Sequence, residues 1–241
     1  EKDQSKNAKG AAMTQTALII GATGGIGGAL ADTLKARDTC EHVVRLSRRS
    51  DPAVDVCDEA SIARAAEWLK ADDIALRLVI DATGFLHDER FRPERALAEI
   101  DPDHMAKAFA INATGPALLM KHFLPLLPRE GRSVFATLSA RVGSIGDNRL
   151  GGWHAYRASK AALNQLVRGA AIELGRKRRE AICVALHPGT VDTPLSQPFA
   201  RSGLAVRSPD VAAKEILAVI DALTPGDSGG FFDHKGERVA Y

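Results

Sequence analysis

From Ala17 onward the chain alternates two hydrophobic patterns. Short continuous apolar runs occupy Ala17–Ile20, Val43–Leu46, Leu76–Ile80, Val134–Leu138 and Ile182–Leu186. Between them lie Ile26–Ala36, Ser61–Ala71, Pro102–Leu127 and Ala155–Lys177, where apolar residues return every three or four positions. An apolar run without alternation predicts a strand covered on both faces, and the three-to-four spacing predicts a helix with one buried side. Strands that alternate with helices form right-handed βαβ crossovers and a parallel sheet. The expected fold is therefore α/β: one doubly wound domain over residues 13–241, with about seven parallel strands and helices on both faces. After His187 the periodicity lapses. The stretch to Ser208 is rich in Pro, Ser, Thr and Gly, and a loop this long (about 190–208) is expected to cover a substrate. Its Leu195, Phe199 and Arg201 suit either an apolar or an anionic ligand. Ser208 then offers an N-cap for a helix over Pro209–Leu223, and Phe231–Asp233 reads as a short last strand.

Composition narrows the function. Among 241 residues, 32 Lys and Arg face 30 Asp and Glu, a net charge of +2, which gives no electrostatic basis for nucleic-acid binding. The run Arg176–Arg179 closes a helix, where cations complement the dipole. Three cysteines (Cys40, Cys57, Cys183) form neither a disulfide framework nor a metal knuckle, and the histidines lack ligand spacing, so no metal is expected. Cys57 and Cys183 read as small core residues. The apolar runs fall far short of the ~20 residues of a membrane span. Residues 1–12 are polar and aperiodic, without the apolar core of a signal peptide, and read as an expression leader ahead of Met13. A cytoplasmic protein is expected.

The first apolar run opens directly into Gly21-Ala-Thr23-Gly-Gly25-Ile26-Gly27 and a helix. A strand, a glycine-dense turn and a helix N-terminus together make a pyrophosphate site: glycine permits close backbone approach, and the helix end offers free N–H donors. The G-x-x-x-G-x-G spacing resembles that of the short-chain dehydrogenase/reductase family, which implies a Rossmann fold and a nicotinamide cofactor. At the end of the second run, where an acid would favour NAD, the chain reads Arg45-Leu-Ser47-Arg48-Arg49. A guanidinium suits a 2′-phosphate, so NADP is expected through Ser47 and Arg48, with NAD the poorer fit. By the same resemblance Asp55 and Val56 meet the adenine ring. Asp81-Ala82-Thr83-Gly84 stands where the family has Asn-Asn-Ala-Gly, keeping the glycine and losing the amides.

Tyr156 and Lys160 share a helix face at i and i+4. A free phenol titrates near 10, too high for acid–base work at neutral pH; a neighbouring ammonium lowers it. The resemblance assigns Tyr156 as acid/base, Lys160 as its partner and ribose ligand, and Asn112 as holder of a relay water. It also calls for a serine on the substrate carbonyl. The fifth-strand end reads Thr137-Leu-Ser139-Ala140, so a gapless register places Ala140 there; Ser139 is the nearest hydroxyl and Ser144 the next. The lengthened loop Val142–Gly152 is similar to that of the C-factor-like and small carbonyl reductase branch. Pro188-Gly189-Thr-Val191-Asp-Thr193 matches the family's carboxamide-binding turn. The resemblance implies an NADP-dependent oxidoreductase of carbonyl or alcohol substrates, in a homodimer or homotetramer built on the helices at about 102–127 and 153–177. The alternative is a nucleotide-binding signalling or regulatory protein of C-factor type, with little or no turnover.

Overall fold

Each predicted apolar run is a strand, and Phe231–Asp233 is a sixth. In the computed structural model, which describes residues 16–37, 40–72, 74, 76–199 and 206–241, the strands are β1 (Thr16–Ile20), β2 (His42–Leu46), β3 (Leu76–Asp81), β4 (Ser133–Leu138), β5 (Ala181–His187) and β6 (Phe231–Asp233). The leader at 1–12 and Arg201 lie outside the described residues. Among the described residues these strands pair with one another only in parallel, in the order β2-β1-β3-β4-β5-β6.

The two-residue alternation explains the layers. Leu18, Ile20, Val79, Phe135 and Cys183 face α2 (Glu59–Ala71), α4 (Gly115–Phe123) and α5 (His154–Lys177), where Ile62, Leu69, Phe123 and Leu163 meet them. Ala17, Ile19, Ile80, Val134 and Val184 face α1 (Gly25–Lys35) and α6 (Pro209–Ala222) through Leu30, Leu34, Ile216 and Leu217. Both faces are dry, which is why the strands carry no polar alternation. No helix among the described residues is long and apolar enough to cross a membrane.

Two expectations change. Among the described residues six strands form where about seven were expected. The chain beyond β2 bonds back to it through Val54 N–H and the Ser47 carbonyl (2.9 Å), then turns at Asp55 into α2, so no ladder develops at that edge. The helix expected over Pro102–Leu127 is also divided. α3 (Pro102–Phe109) passes through a π-helical turn at Ala110–Thr114 into α4, and a 3₁₀ turn at Leu124–Leu126 ends it. Such turns insert one extra residue and often mark functional sites. This one carries Asn112, fully buried, to the backbone of Phe85.

Register places the chemistry. Ile20 pairs with Leu46 and Asp81, Asp81 with Thr137, and Leu138 with Leu186. The C-terminal ends of five strands thus finish on one edge, where strand order reverses about β1 and β3, the usual crevice of an open α/β sheet.

Candidate active site

The glycine turn is built for a close neighbour. Gly21 has φ +81°, where an L side chain is strained, and a Cβ there would stand 3.1 Å from the Ala82 carbonyl. A Cβ on Gly27 would run into the Gly21 carbonyl, and one on Gly25 would meet the Thr193 methyl at 2.9 Å. Thr193 therefore hangs over the turn from the far end of the loop after β5. α1 starts behind Gly24 with no side-chain cap and no acid in its first turn. Its free N–H groups and positive dipole end are left for an anion. Thr23 is exposed and Ile26 half-buried beside them. These observations fit a dinucleotide pyrophosphate.

The remaining cofactor candidates line the same edge. Ser47 is buried and its Oγ accepts from Arg49 N–H (3.1 Å). Arg45 is committed to Asp32 at 2.6 Å, whereas Arg48 is exposed and makes no ion pair among the described residues. The Asp55 carboxylate accepts from Cys57 N–H (2.9 Å), and Val56 packs where a Cβ on Gly115 would come within 2.8 Å. That turn leaves Cys57 exposed, which corrects its reading as a core residue; Cys183 is buried. Ala82 N–H donates to the Ile20 carbonyl (2.9 Å) and Thr83 is tied to Asp81. A Cβ on Gly84 would lie 3.8 Å from Lys160 Nζ and 3.7 Å from Asn112 Oδ1, so this glycine joins the cofactor track to the catalytic face. Pro188 leads into Gly189 (φ +77°), and Val191 bridges to Arg207.

On α5, Lys160 Nζ stands 6.0 Å from the centre of the Tyr156 ring and donates to the Leu138 carbonyl (2.7 Å). Burial pushes the Tyr156 phenol up to about 12. Burial lowers Lys160 to about 8, opposed by the charge of Asp81. The sequence expectation was a phenol pulled below its ordinary value; here desolvation sets it high, while the ammonium bonds the Leu138 carbonyl and stands 6.0 Å from the ring centre. Asn112 Nδ2 donates to the Phe85 carbonyl (2.8 Å) and to Ser159 Oγ (3.0 Å), so both amide hydrogens are spent. A relay water would have to use another of its atoms.

A family model described as enoyl-(acyl carrier protein) reductase matches residues 21–214. The chain belongs to the short-chain dehydrogenase/reductase family. It is an NAD(P)-dependent oxidoreductase of that family. C-signal of Myxococcus xanthus is 39% identical over 146 residues, 61% of this chain and 84% of that protein. A 1-hydroxy-2-glutathionyl-2-methyl-3-butene dehydrogenase of Rhodococcus sp. strain AD45 is 30% identical over 230 residues, 92% of this chain and 97% of its own. Among solved structures, an NADPH-bound carbonyl reductase from chicken fatty liver superposes with a TM-score of 0.81 at 27% identity, covering 94% of this chain and 98% of that one.

Within this dehydrogenase/reductase frame the serine is the unusual part. Ser139 is buried and its Oγ donates to Asn164 Oδ1 (2.7 Å), two turns along α5 from Tyr156. Ser144 is buried too; its Oγ accepts from Asp147 N–H (3.1 Å), and its own proton has no acceptor among the described residues. Ala140, between them, offers no hydroxyl. Around the phenol, Trp153 meets Tyr156 edge-on (6.2 Å) and Phe199 (5.3 Å), and Phe199 meets His87 (5.1 Å). This aromatic wall unites three segments that no motif connects.

Sequence reasoning also missed the work of Asp81. Its carboxylate accepts from Thr83 N–H, Thr83 Oγ1 and Thr137 Oγ1, tying the end of β3 to β4. The Asp for Asn departure in Asp81-Ala-Thr-Gly was the available signal; it was read as a loss, whereas it places near Lys160 a buried carboxyl that burial holds above the ordinary carboxylate range and whose charge raises the lysine.

Proposed function

We propose that the protein is an NADP-dependent reductase of apolar carbonyl compounds, with Tyr156 as the proton donor. The observation that carries this reading is the Tyr156–Lys160 pair on one face of α5, the lysine buried and the tyrosine half-buried, beside the Gly84 that ends the glycine-lined cofactor track. The name of the chicken relative, NADPH-bound carbonyl reductase, supports the cofactor and the reaction class. When bound, the nicotinamide would supply the hydride. Gly21, Thr23, Gly25, Ile26 and Gly27 would hold its pyrophosphate, Ser47 and Arg48 the 2′-phosphate, and Asp55 and Val56 the adenine. Ala82, Thr83 and Gly84, with Lys160, would hold the riboses, and Pro188, Gly189, Val191 and Thr193 the carboxamide.

A phenol held above 10 stays protonated at neutral pH, the form needed to donate to a carbonyl oxygen. The Lys160 ammonium stabilises the phenolate as it forms, and Asn112 braces Ser159, one turn beyond Tyr156 and next to Lys160. Trp153, which meets the Tyr156 ring and is backed by Phe199 and His87, gives the phenol an apolar neighbour that favours an apolar substrate. Two hydroxyls compete to polarise the carbonyl: Ser139, whose proton is now given to Asn164, and Ser144.

A second reading, a nucleotide-binding signalling protein, is supported by the likeness to C-signal and by Ala140 at the gapless serine position. Turnover of a panel of aromatic aldehydes and ketones with NADPH separates the two. Tyr156→Phe should lose at least about 10²-fold in rate while keeping NADPH affinity, the usual weight of an acid–base group. Ser139→Ala and Ser144→Ala, run beside it, identify the polarising hydroxyl as the one whose loss cripples kcat. A Tyr156→Phe protein within a fewfold of wild type would refute the mechanism, and no turnover by wild type on any panel member would favour the signalling reading.

A further inference from the structure

Helix α5 begins in a conformation its local sequence does not favour. Gly151, Gly152 and Trp153 take left-handed φ values of 63°, 64° and 52°, and for a tryptophan that region is strained. The N-cap residue makes no side-chain cap of its own. Asn148 Oδ1 accepts from Gly151 N–H (3.0 Å) and Arg157 Nε donates to the Gly152 carbonyl (2.9 Å), and one distant residue holds Trp153 and the first turn of the helix. The Glu94 main-chain carbonyl accepts from Trp153 N–H at 2.5 Å, and its carboxylate accepts from Ala155 N–H at 3.2 Å. A Cβ on Gly152 would stand 3.2 Å from that same Glu94 carbonyl, so the two backbones are in close contact.

Glu94 sits in a segment with neither helix nor strand, so it needs an anchor. His104 of α3 is that anchor: its Nδ1 lies 3.1 Å from Glu94 Oε1, with both side chains nearly fully buried. The His104 ring stacks on Phe91 (5.0 Å, 5°) and meets Phe85 edge-on (5.9 Å). A buried acid–imidazole pair contributes no more to folding than well-packed apolar residues of the same volume, so stability alone does not account for it. What the pair does fix is the start of α5, through Ala155, the residue before Tyr156, whose ring Trp153 touches.

We propose that Glu94, held by His104, is a positioning residue for Tyr156: it clamps the strained turn at Trp153 and so sets where the phenol stands relative to Lys160. The inference rests on Tyr156 being the proton donor. Glu94→Gln preserves the clamp, since an amide oxygen can still accept from Ala155 and its NH₂ can donate to His104. Glu94→Leu removes both bonds, and His104→Phe keeps the ring stacking while removing the anchor.

The chain has two tyrosines, Tyr156 and Tyr241, so isotope-labelled tyrosine rings give two NMR signals, assigned with Tyr156→Phe. In Glu94→Leu and His104→Phe the Tyr156 signal should move while that of Tyr241 stays; in Glu94→Gln both should stay. With para-nitrobenzaldehyde as probe, kcat should fall about tenfold to a hundredfold in the first two variants, the scale of a small misplacement of a reacting group. NADPH affinity should hold within about twofold on that reasoning, and Glu94→Gln should restore kcat. If Glu94→Leu does not fold, His104→Phe carries the comparison. An unmoved Tyr156 signal with only a lower melting temperature, or a Glu94→Gln variant as damaged as Glu94→Leu, overturns the clamp. Full turnover by Tyr156→Phe instead overturns the proton-donor reading and leaves the NMR result to judge the clamp. A probe that wild type does not reduce leaves that judgement to the NMR signals as well.

Discussion

In the proposed function, cofactor choice turns on Arg48. Arg45, three positions earlier, is taken by Asp32, and the Ser47 hydroxyl supports the turn, which leaves the Arg48 guanidinium exposed at the end of β2. A charge-assisted contact to a 2′-phosphate contributes roughly 1.5–3 kcal/mol, and at an exposed site the lower end applies, so NADPH should bind about tenfold more tightly than NADH. Fluorescence titration of both cofactors measures this. Arg48→Ala should bring the two affinities together by weakening NADPH alone; equal affinities in wild type would remove the assignment. Arg48 and Tyr156 were both legible as residues. The competition at the serine was legible only as an uncertainty of register, because which hydroxyl keeps its proton depends on Asn164, 25 residues further on.

At the scale of elements, the β1–turn–α1 unit was readable because its chemistry is local: a strand, a glycine turn and a helix start follow one another in sequence. Its tolerances are now explicit. Gly27→Ala sets a methyl against the Gly21 carbonyl and should destabilise by roughly 1–3 kcal/mol, as overpacking does, with weaker NADPH binding. Gly175→Ala on α5 is the control. Nothing lies within 4 Å of a Cβ there, so it should stabilise by roughly 0.5–1 kcal/mol. Denaturant unfolding reads both, and similar effects of opposite expectation would sink the close-approach argument. The division of α3 from α4 was not readable. Apolar spacing runs unbroken through Ala110–Thr114, and the π turn follows from what Asn112 and Gly115 meet across the interior, namely Phe85 and Val56.

For the whole molecule, the sheet edge brings β3, β4 and α5 together into one electrostatic unit. Lys160, lowered to about 8 mainly by burial, is kept charged at neutral pH with help from Asp81 at the end of β3. In the proposed mechanism the ammonium stabilises the developing phenolate, and it is lost as pH rises through its folded value. Reduction should therefore decline above about pH 8. Asp81→Asn removes the charge that raises Lys160, so this limb should move to lower pH while the bond from Thr137 can persist through the amide oxygen. A pH–rate profile of both proteins decides; a limb that stays in place would show that Asp81 acts only as a tie between β3 and β4.

The order of strands and helices, the glycine turn, the Tyr156–Lys160 spacing and the Pro188–Thr193 turn were all determined by the sequence. Each is a short-range pattern, set by two- or 3.6-residue periodicity or by residues within one turn of each other. Three things were decided only by tertiary structure: the Glu94–His104 clamp on α5, the aromatic wall of His87, Trp153 and Phe199, and the reach of Asp81 towards Lys160. Their partners come from separate crossovers, and no periodicity along the chain specifies which side chains two remote segments will place within 3 or 5 Å of one another. Burial at that convergence, rather than the neighbouring lysine, also sets the Tyr156 phenol high, because desolvation depends on everything packed around a group and not on its neighbours in sequence.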